Sequence, residues 1–140
     1  MESTRHPHGA MRRHTREITD RQDIDAILDA GRVMRIALAA GDVPFLVPVF
    51  YAYDGRALYF HSAPAGSKVD IMKRNPLVCF EVSLDHGIIE DESICDFEAK
   101  HRTVIGLGRT AFVDDEAEKT RALDLIVARS EEHTSELQSH

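Results

Sequence analysis

The chain has 140 residues, a formal net charge of −7 at neutral pH, 43% apolar residues and 29% charged residues. That is the size of one small domain with enough apolar content for a core, and its acidity excludes a general nucleic-acid binder. No apolar run reaches membrane-spanning length, and no apolar stretch follows the charged N-terminus, so neither a transmembrane helix nor a secretory signal is expected.

Residues 1–10 (MESTRHPHGA) are polar and without periodicity, which predicts a disordered leader. Met11 is an alternative start to Met1, and His6 and His8 belong to the leader rather than to a metal site. Thr19-Asp20-Arg21-Gln22 has capping-box form, Ile24, Ile27 and Leu28 follow at helical spacing, and Gly31 offers a C-terminal stop. Residues 33–40 read as a strand with Met34, Ile36 and Leu38 on one face. Strands at 44–53 and 56–61 flank Asp54-Gly55, a type I′ hairpin signal. Pro44 and Pro48 cannot donate to a ladder, and Pro48 therefore implies an edge or a bulge. A short helix over 68–74 ends at Asn75-Pro76 and is followed by a strand at 77–84. Residues 85–99 are acidic and read as a loop or distorted connection. A long strand at 101–113 contains Gly106 and Gly108, which permit close approach or bending. Asp115-Glu116-Ala117-Glu118 then caps a helix carrying Ala122, Ile126 and Val127. Five or so strands with few short helices and no internal repeat suggest a small antiparallel barrel.

The run YFHSAPAGSKVDIMKRNPLVCFEV, residues 59–82, carries the chemistry. A strand runs into a small-residue loop, and Gly66-Ser67-Lys68 opens a helix. Free backbone N–H groups, the positive end of the helix dipole and a lysine converge there as an anion pocket. His61, Ser62 and Ser67 add side-chain donors. The expected ligand is a phosphate-bearing cofactor on a β-rich scaffold. Blander readings stand beside each residue: Lys68 as a helix-surface lysine, Ser67 as an N-cap, His61 as an ordinary half-buried histidine. Arg35 lies among apolar residues and needs a partner, which a carboxylate could supply. Cys79 reads as a small core residue, and Cys79 and Cys95 make no zinc pattern; reduced thiols fit a cytoplasmic protein. Gly106 and Gly108 lie inside a strand rather than before a helix, so they are no dinucleotide fingerprint. No nucleophile–base–orienter set is visible, so catalytic residues remain unassigned.

The same run resembles the flavin-nucleotide-binding proteins related to pyridoxamine 5'-phosphate oxidase, in the branch similar to 5-nitroimidazole resistance proteins. The likeness includes MRRHTREITD (residues 11–20), RIAL (35–38), VPFLVPVFYAYDGRALYFHSA (43–63) and HRTVIGLGRTAFVDDEAEK (101–119). It implies a mainly β, antiparallel split β-barrel with short flanking helices, a homodimer with FMN between its subunits. It also implies an oxidoreductase passing electrons from a nicotinamide donor to a small acceptor, a nitro-aromatic among them, with no nucleic acid or membrane as partner. In such a protein the flavin carries the redox chemistry, so the missing triad is expected. By this resemblance His61 lies near the flavin, and Lys68 and Ser67 hold its phosphate. Arg35 contacts that phosphate as an alternative to its salt bridge. Pro48, Val49 and Phe50 border the ring, although core packing explains them equally. Val104 and Ile105 offer backbone groups to a flavin bound mainly by the other subunit. His101 stands where relatives often carry tyrosine. Rival readings are a non-catalytic flavin store and a related barrel using haem or deazaflavin.

Residues 129–140 (RSEEHTSELQSH) resemble the translation of a common sequencing-library adapter. Without their one arginine and three glutamates the net charge is −5. The expected organisation is a leader at 1–10, an FMN-binding split-barrel domain at 11–128 that is incomplete at its C-terminus, and an artefactual tail at 129–140, disordered or loosely helical.

Overall fold

The computed structural model describes residues 7, 17–89 and 98–138, with the backbone alone for 85–89, 98–101 and 131–138. The leader apart from Pro7, residues 11–16 and Cys95 lie outside the described residues, as does the side chain of His101.

Helix α1 (Arg21–Ala30) begins where the Asp20 carboxylate accepts from the Gln22 amide at 2.9 Å. Asp20, not Thr19, is the cap. The apolar stripe buries Ile27 and Leu28, and the helix stops at Gly31, whose N–H reaches the Ile27 carbonyl. Strand β1 (Val33–Ala40) alternates as its sequence requires, with Met34, Ile36 and Leu38 buried and Arg35, Ala37 and Ala39 exposed.

A two-residue turn, Gly41-Asp42, leads into β2 (Val43–Phe50), antiparallel to β1 with Ala40 opposite Val43. Gly41 takes φ 61° and Asp42 stays negative, as a II′ hairpin requires. The expected strand at 44–53 divides at Tyr51. Its last part, β3 (Ala52–Tyr53), pairs instead with β4 (Leu58–Tyr59) in a separate ribbon. The connection is not the expected two-residue type I′ turn. It is a four-residue loop held by Asp54, whose Oδ1 accepts from the Arg56 and Ala57 amides at 2.8 Å each. Type I′ needs positive φ at both central residues, and here Gly55 alone has it.

Helix α2 (Ser67–Arg74) ends at Asn75 as expected, and β5 follows (Leu77–Ile89). Residues 85–89 extend that strand rather than forming a loop, with an irregular register between Asp85 and Ile88. Strand β6 (Glu98–Arg109) starts earlier and ends earlier than its sequence suggested. Helix α3 (Glu116–Gln138) starts where Asp115 accepts from the Glu118 amide at 2.9 Å, and it runs on through residues 129–138. Ala122 and Ile126 are buried; Val127, expected on the same stripe, is one residue and about 100° further round and lies exposed.

The main sheet has the order β2-β1-β5-β6, entirely antiparallel, and among the described residues it is not closed into a barrel. Strand β2 is an edge, where Pro44 and Pro48 cost no ladder bond. The inner face carries Met34, Ile36, Leu38, Val49, Val78 and Val82, covered by Ile27 and Leu28 of α1 and Met72 of α2. Gly106 lies opposite Phe80 on this face, and a Cβ there would sit 2.7 Å from the ring, so this glycine makes room for an aromatic side chain. Among the described residues the fold is a mainly β, antiparallel sheet with three helices.

Candidate functional site

The phosphate site is expected at the start of α2, where the structure places Gly66 directly before the helix. Gly66 takes φ 129°, and a Cβ there would meet no neighbouring atom within 4 Å, so the backbone conformation and not crowding asks for glycine. Its carbonyl accepts the first helical bond, from the Asp70 amide at 3.0 Å. The preceding amides, of Ser67, Lys68 and Val69, are the open donors of the helix start. Ser67 is the first helical residue and not the cap; Gly66 is the cap, and no side chain bonds the helix end. The Lys68 side chain is half-buried, and among the described residues it makes no hydrogen bond or ion pair. Ser67 and His61 are exposed. The Ser62 hydroxyl donates to the Ala63 carbonyl at 3.1 Å, so its proton is already engaged. Asp70 also lies in the first turn, and one exposed carboxylate thus tempers the cationic end. Open amides, a lysine without a partner among the described residues and a glycine in a conformation other residues resist are chemically compatible with a phosphate.

The other candidates form a second group on the outer face of the sheet. The register sets Arg35 opposite Pro48 on one side and Glu81 on the other, with Ile105 opposite Glu81. Directly opposed residues share a face, so Pro48, Arg35, Glu81 and Ile105 form one cross-sheet row. Phe50, two residues from Pro48, shares that face and is 65% exposed. Arg35 meets the Glu81 carboxylate at 3.5 Å, the salt bridge that an arginine in an apolar strand called for. Val49 and Val104 point to the other face: Val49 is buried, and Val104 packs against the core. These two can offer a ligand backbone groups alone.

The two groups lie on opposite sides of one sheet. Helix α2 packs on the inner side through Val69 and Met72, and the Arg35 row lies on the outer side. Among the described residues no hydrogen bond or ion pair links His61, Ser62, Ser67 or Lys68 to Arg35, Pro48, Phe50 or Ile105. Sequence reading missed Glu81. The alternation of strand 77–84 puts it on the face opposite Val78 and Val82, but which residue it pairs with depends on register.

Polar contacts elsewhere lock the scaffold. Tyr51 donates to the Leu28 carbonyl at 2.6 Å, and burial pushes its phenol up to about 12, with Arg129 opposing. Tyr53 donates to Asp25 at 2.6 Å, and that bond, with Arg21 beside it, holds the Asp25 carboxyl below its ordinary range. Burial pushes the half-buried Cys79 thiol up, which argues against a reactive thiolate.

A family model whose description is pyridoxamine 5'-phosphate oxidase matches residues 20–139, and the chain belongs to this family. Among solved structures, the flavocytochrome Anf3 of Azotobacter vinelandii is 30% identical with a TM-score of 0.77, covering 86% of this chain and 56% of that one. A Bacteroides thetaiotaomicron protein proposed to confer 5-nitroimidazole antibiotic resistance is 29% identical with a TM-score of 0.69, covering 80% and 67%. An FAD-binding protein of Mesorhizobium loti is 27% identical with a TM-score of 0.61, covering 84% and 77%. The chain aligns with 43% of a curated Rhizobium meliloti (strain 1021) protein, at 35% identity over 66 residues. No helix among the described residues is long and apolar enough to cross a membrane.

Proposed function

We propose that the chain is a flavin-dependent oxidoreductase that binds FMN, takes electrons from a nicotinamide donor and passes them to a small acceptor such as a nitro-aromatic. The observation that carries this reading is Lys68, half-buried and without a partner among the described residues, beside an uncapped helix N-terminus. The phosphate would be held by Lys68 and by the amides of Ser67, Lys68 and Val69, with His61 beside it. Bound flavin supplies the electron transfer; the chain binds it, orients it and keeps water from one side of the ring. Pro48, Phe50 and Ile105 would form that dry wall. They lie across the sheet from Lys68, which favours a homodimer, in which one subunit's loop meets the other subunit's outer face. A cytoplasmic setting completes the reading, with Cys79 a free thiol.

FAD in place of FMN is the second reading. Residues 61 and 63–67 are exposed, which leaves room for an adenylyl extension beyond the phosphate, and the Mesorhizobium loti relative is FAD-binding. The test is the absorption spectrum of the purified protein, chromatography of the released cofactor, and NAD(P)H oxidation with and without a nitro-aromatic. Flavin bands with acceptor-dependent turnover are expected. Flavin without turnover would leave a flavin store, and a haem spectrum alone would overturn the flavin reading.

A further inference from the structure

Strand β4 delivers the loop of the candidate site from a ribbon that stands outside the main sheet. Residues 60–66 connect β4 to α2, and a connection of this length can span up to roughly 25 Å, so its two ends decide where it lies. Among the described residues none of 60–65 takes part in a backbone–backbone hydrogen bond, and residues 61 and 63–66 are exposed. The far end is fixed by α2, whose Val69 and Met72 are buried. The near end is carried by the ribbon, whose ladder is two residue pairs, Ala52 with Tyr59 and Tyr53 with Leu58. Two paired strands of that length are marginal by themselves.

Each face of the ribbon carries a tyrosine, and each tyrosine donates to a carboxylate. Directly opposed residues share a face and successive residues alternate, so Tyr53 and Tyr59 lie on opposite faces. Tyr53 donates to Asp25 Oδ1 of α1 at 2.6 Å. Arg21 closes the cluster, donating to Asp25 Oδ1 at 2.8 Å and to Tyr53 Oη at 3.1 Å. Tyr59 donates to Asp54 Oδ2 at 3.0 Å, while Oδ1 of the same carboxylate accepts the Arg56 and Ala57 amides at 2.8 Å each. Ala52 is buried and Leu58 and Phe60 pack on the core, but apolar contact has no direction. The tyrosine bonds supply the direction, and Tyr59 stands two residues before His61.

We infer that Tyr53, with Asp25 and Arg21, and Tyr59, with Asp54, are positioning residues: they orient the ribbon and thereby set the loop that carries His61 and Gly66 against Lys68. The inference rests on the phosphate site proposed above and adds the groups that hold it in shape. None of these residues is a ligand in that site; each acts through the loop. Their bonds are local. The main sheet has its own ladders and core, so removing one hydroxyl leaves the sheet standing and frees the loop. A loop that must be ordered on binding lowers affinity by the cost of ordering it, so its freedom appears as weaker phosphate binding. Ring contacts on the outer face of the sheet do not pass through the loop.

Tyr53→Phe and Tyr59→Phe remove one hydroxyl each and keep the ring, and the double variant removes both. Nitrogen-15 relaxation of the flavin-free chain reads the loop, and fluorescence titration with FMN and riboflavin reads the site. In the wild type the amides of His61, Ser62 and Gly66 are expected near the order parameter of rigid backbone, about 0.85. Each variant should lower them toward about 0.6 and leave β1 as it was. FMN should bind about fivefold more weakly to each single variant, the effect of one hydrogen bond, and riboflavin equally to all. A wild type without affinity for flavin, whose loop still loosens in the variants, would support the positioning role and sink the flavin reading. A loop already mobile in the wild type, order parameters unchanged in both variants, or order lost across β1 as well would overturn the proposal. FMN affinity unchanged by a loosened loop, or lost equally with that of riboflavin, would also overturn it and leave flavin binding standing.

Discussion

Gly31 and Tyr51 leave each other no spare volume: a Cβ on Gly31 would lie 2.5 Å from the Tyr51 Oη and 2.5 Å from Val82 Cγ1. Gly31 has φ −70° and ψ 155°, extended backbone that any residue adopts, so crowding and not a left-handed helix stop requires glycine here. Val82 is fully buried, and Tyr51 is tied to the Leu28 carbonyl, so neither yields easily. Gly31→Ala should therefore destabilise the fold by about 2–3 kcal/mol, at the upper end for overpacking. Urea unfolding measures it, and a loss under about 0.5 kcal/mol, the range of an ordinary surface change, would show that the site relaxes freely.

The same tyrosine makes an alkaline prediction. Its phenol titrates near 12 in the folded chain, raised by burial, against an ordinary value of 10.0. Below pH 10 both folded and unfolded states hold the proton. Between about 10 and 12 the unfolded state releases it first, so stability should fall as pH rises through that window. Tyr51→Phe removes this contribution. Its unfolding free energy should fall less steeply across the window than that of the wild type. Equal slopes would mean that Tyr51 ionises in place at no cost.

How far the sequence alone carried the fold varies with the physics involved. The faces of β1 were legible because Met34, Ile36 and Leu38 alternate with less apolar neighbours, and the edge position of β2 followed from the missing donor of Pro48. Turns were harder. Asp-Gly marked a hairpin at residues 54–55, but the carboxylate took two amides and opened the loop to four residues, while the two-residue turn formed at Gly41-Asp42. The start of α2 was legible because its glycine, first helical residue and lysine are neighbours in the chain. The Arg35–Glu81 pair was not, because the two are 46 residues apart and meet through register.

Arg129 was grouped with the tail in the sequence, yet it donates from Nη2 to the Gly31 carbonyl at 2.9 Å. That bond ties α3 to the end of α1 just where Tyr51 also binds. Arg129→Ala should lower stability by about 1–2 kcal/mol, the range for a part-buried hydrogen bond from a charged donor. It should also move the Tyr51 phenol further up, since the guanidinium favours the phenolate. Thermal melting and tyrosinate absorbance against pH read the two effects. If neither moves, Ala122 and Ile126 dock the helix unaided.

Lys68 carries the functional reading, and its test separates phosphate from ring. The side chain is half-buried next to open amides, with no partner among the described residues, so removing it leaves no protein group unpaired. If it holds a phosphate, Lys68→Ala loses one charge-assisted contact, about 1.5–3 kcal/mol, or roughly a 10- to 100-fold weaker Kd for FMN. Riboflavin has the same ring and no phosphate, and its affinity should stay unchanged. Gly66→Ala should weaken FMN in the same selective way, because φ 129° is strained for alanine and the amides would turn from the ligand. Fluorescence titrations of both ligands against wild type and the two variants decide it. Equal losses for FMN and riboflavin would take Lys68 out of the phosphate site and return it to the helix surface.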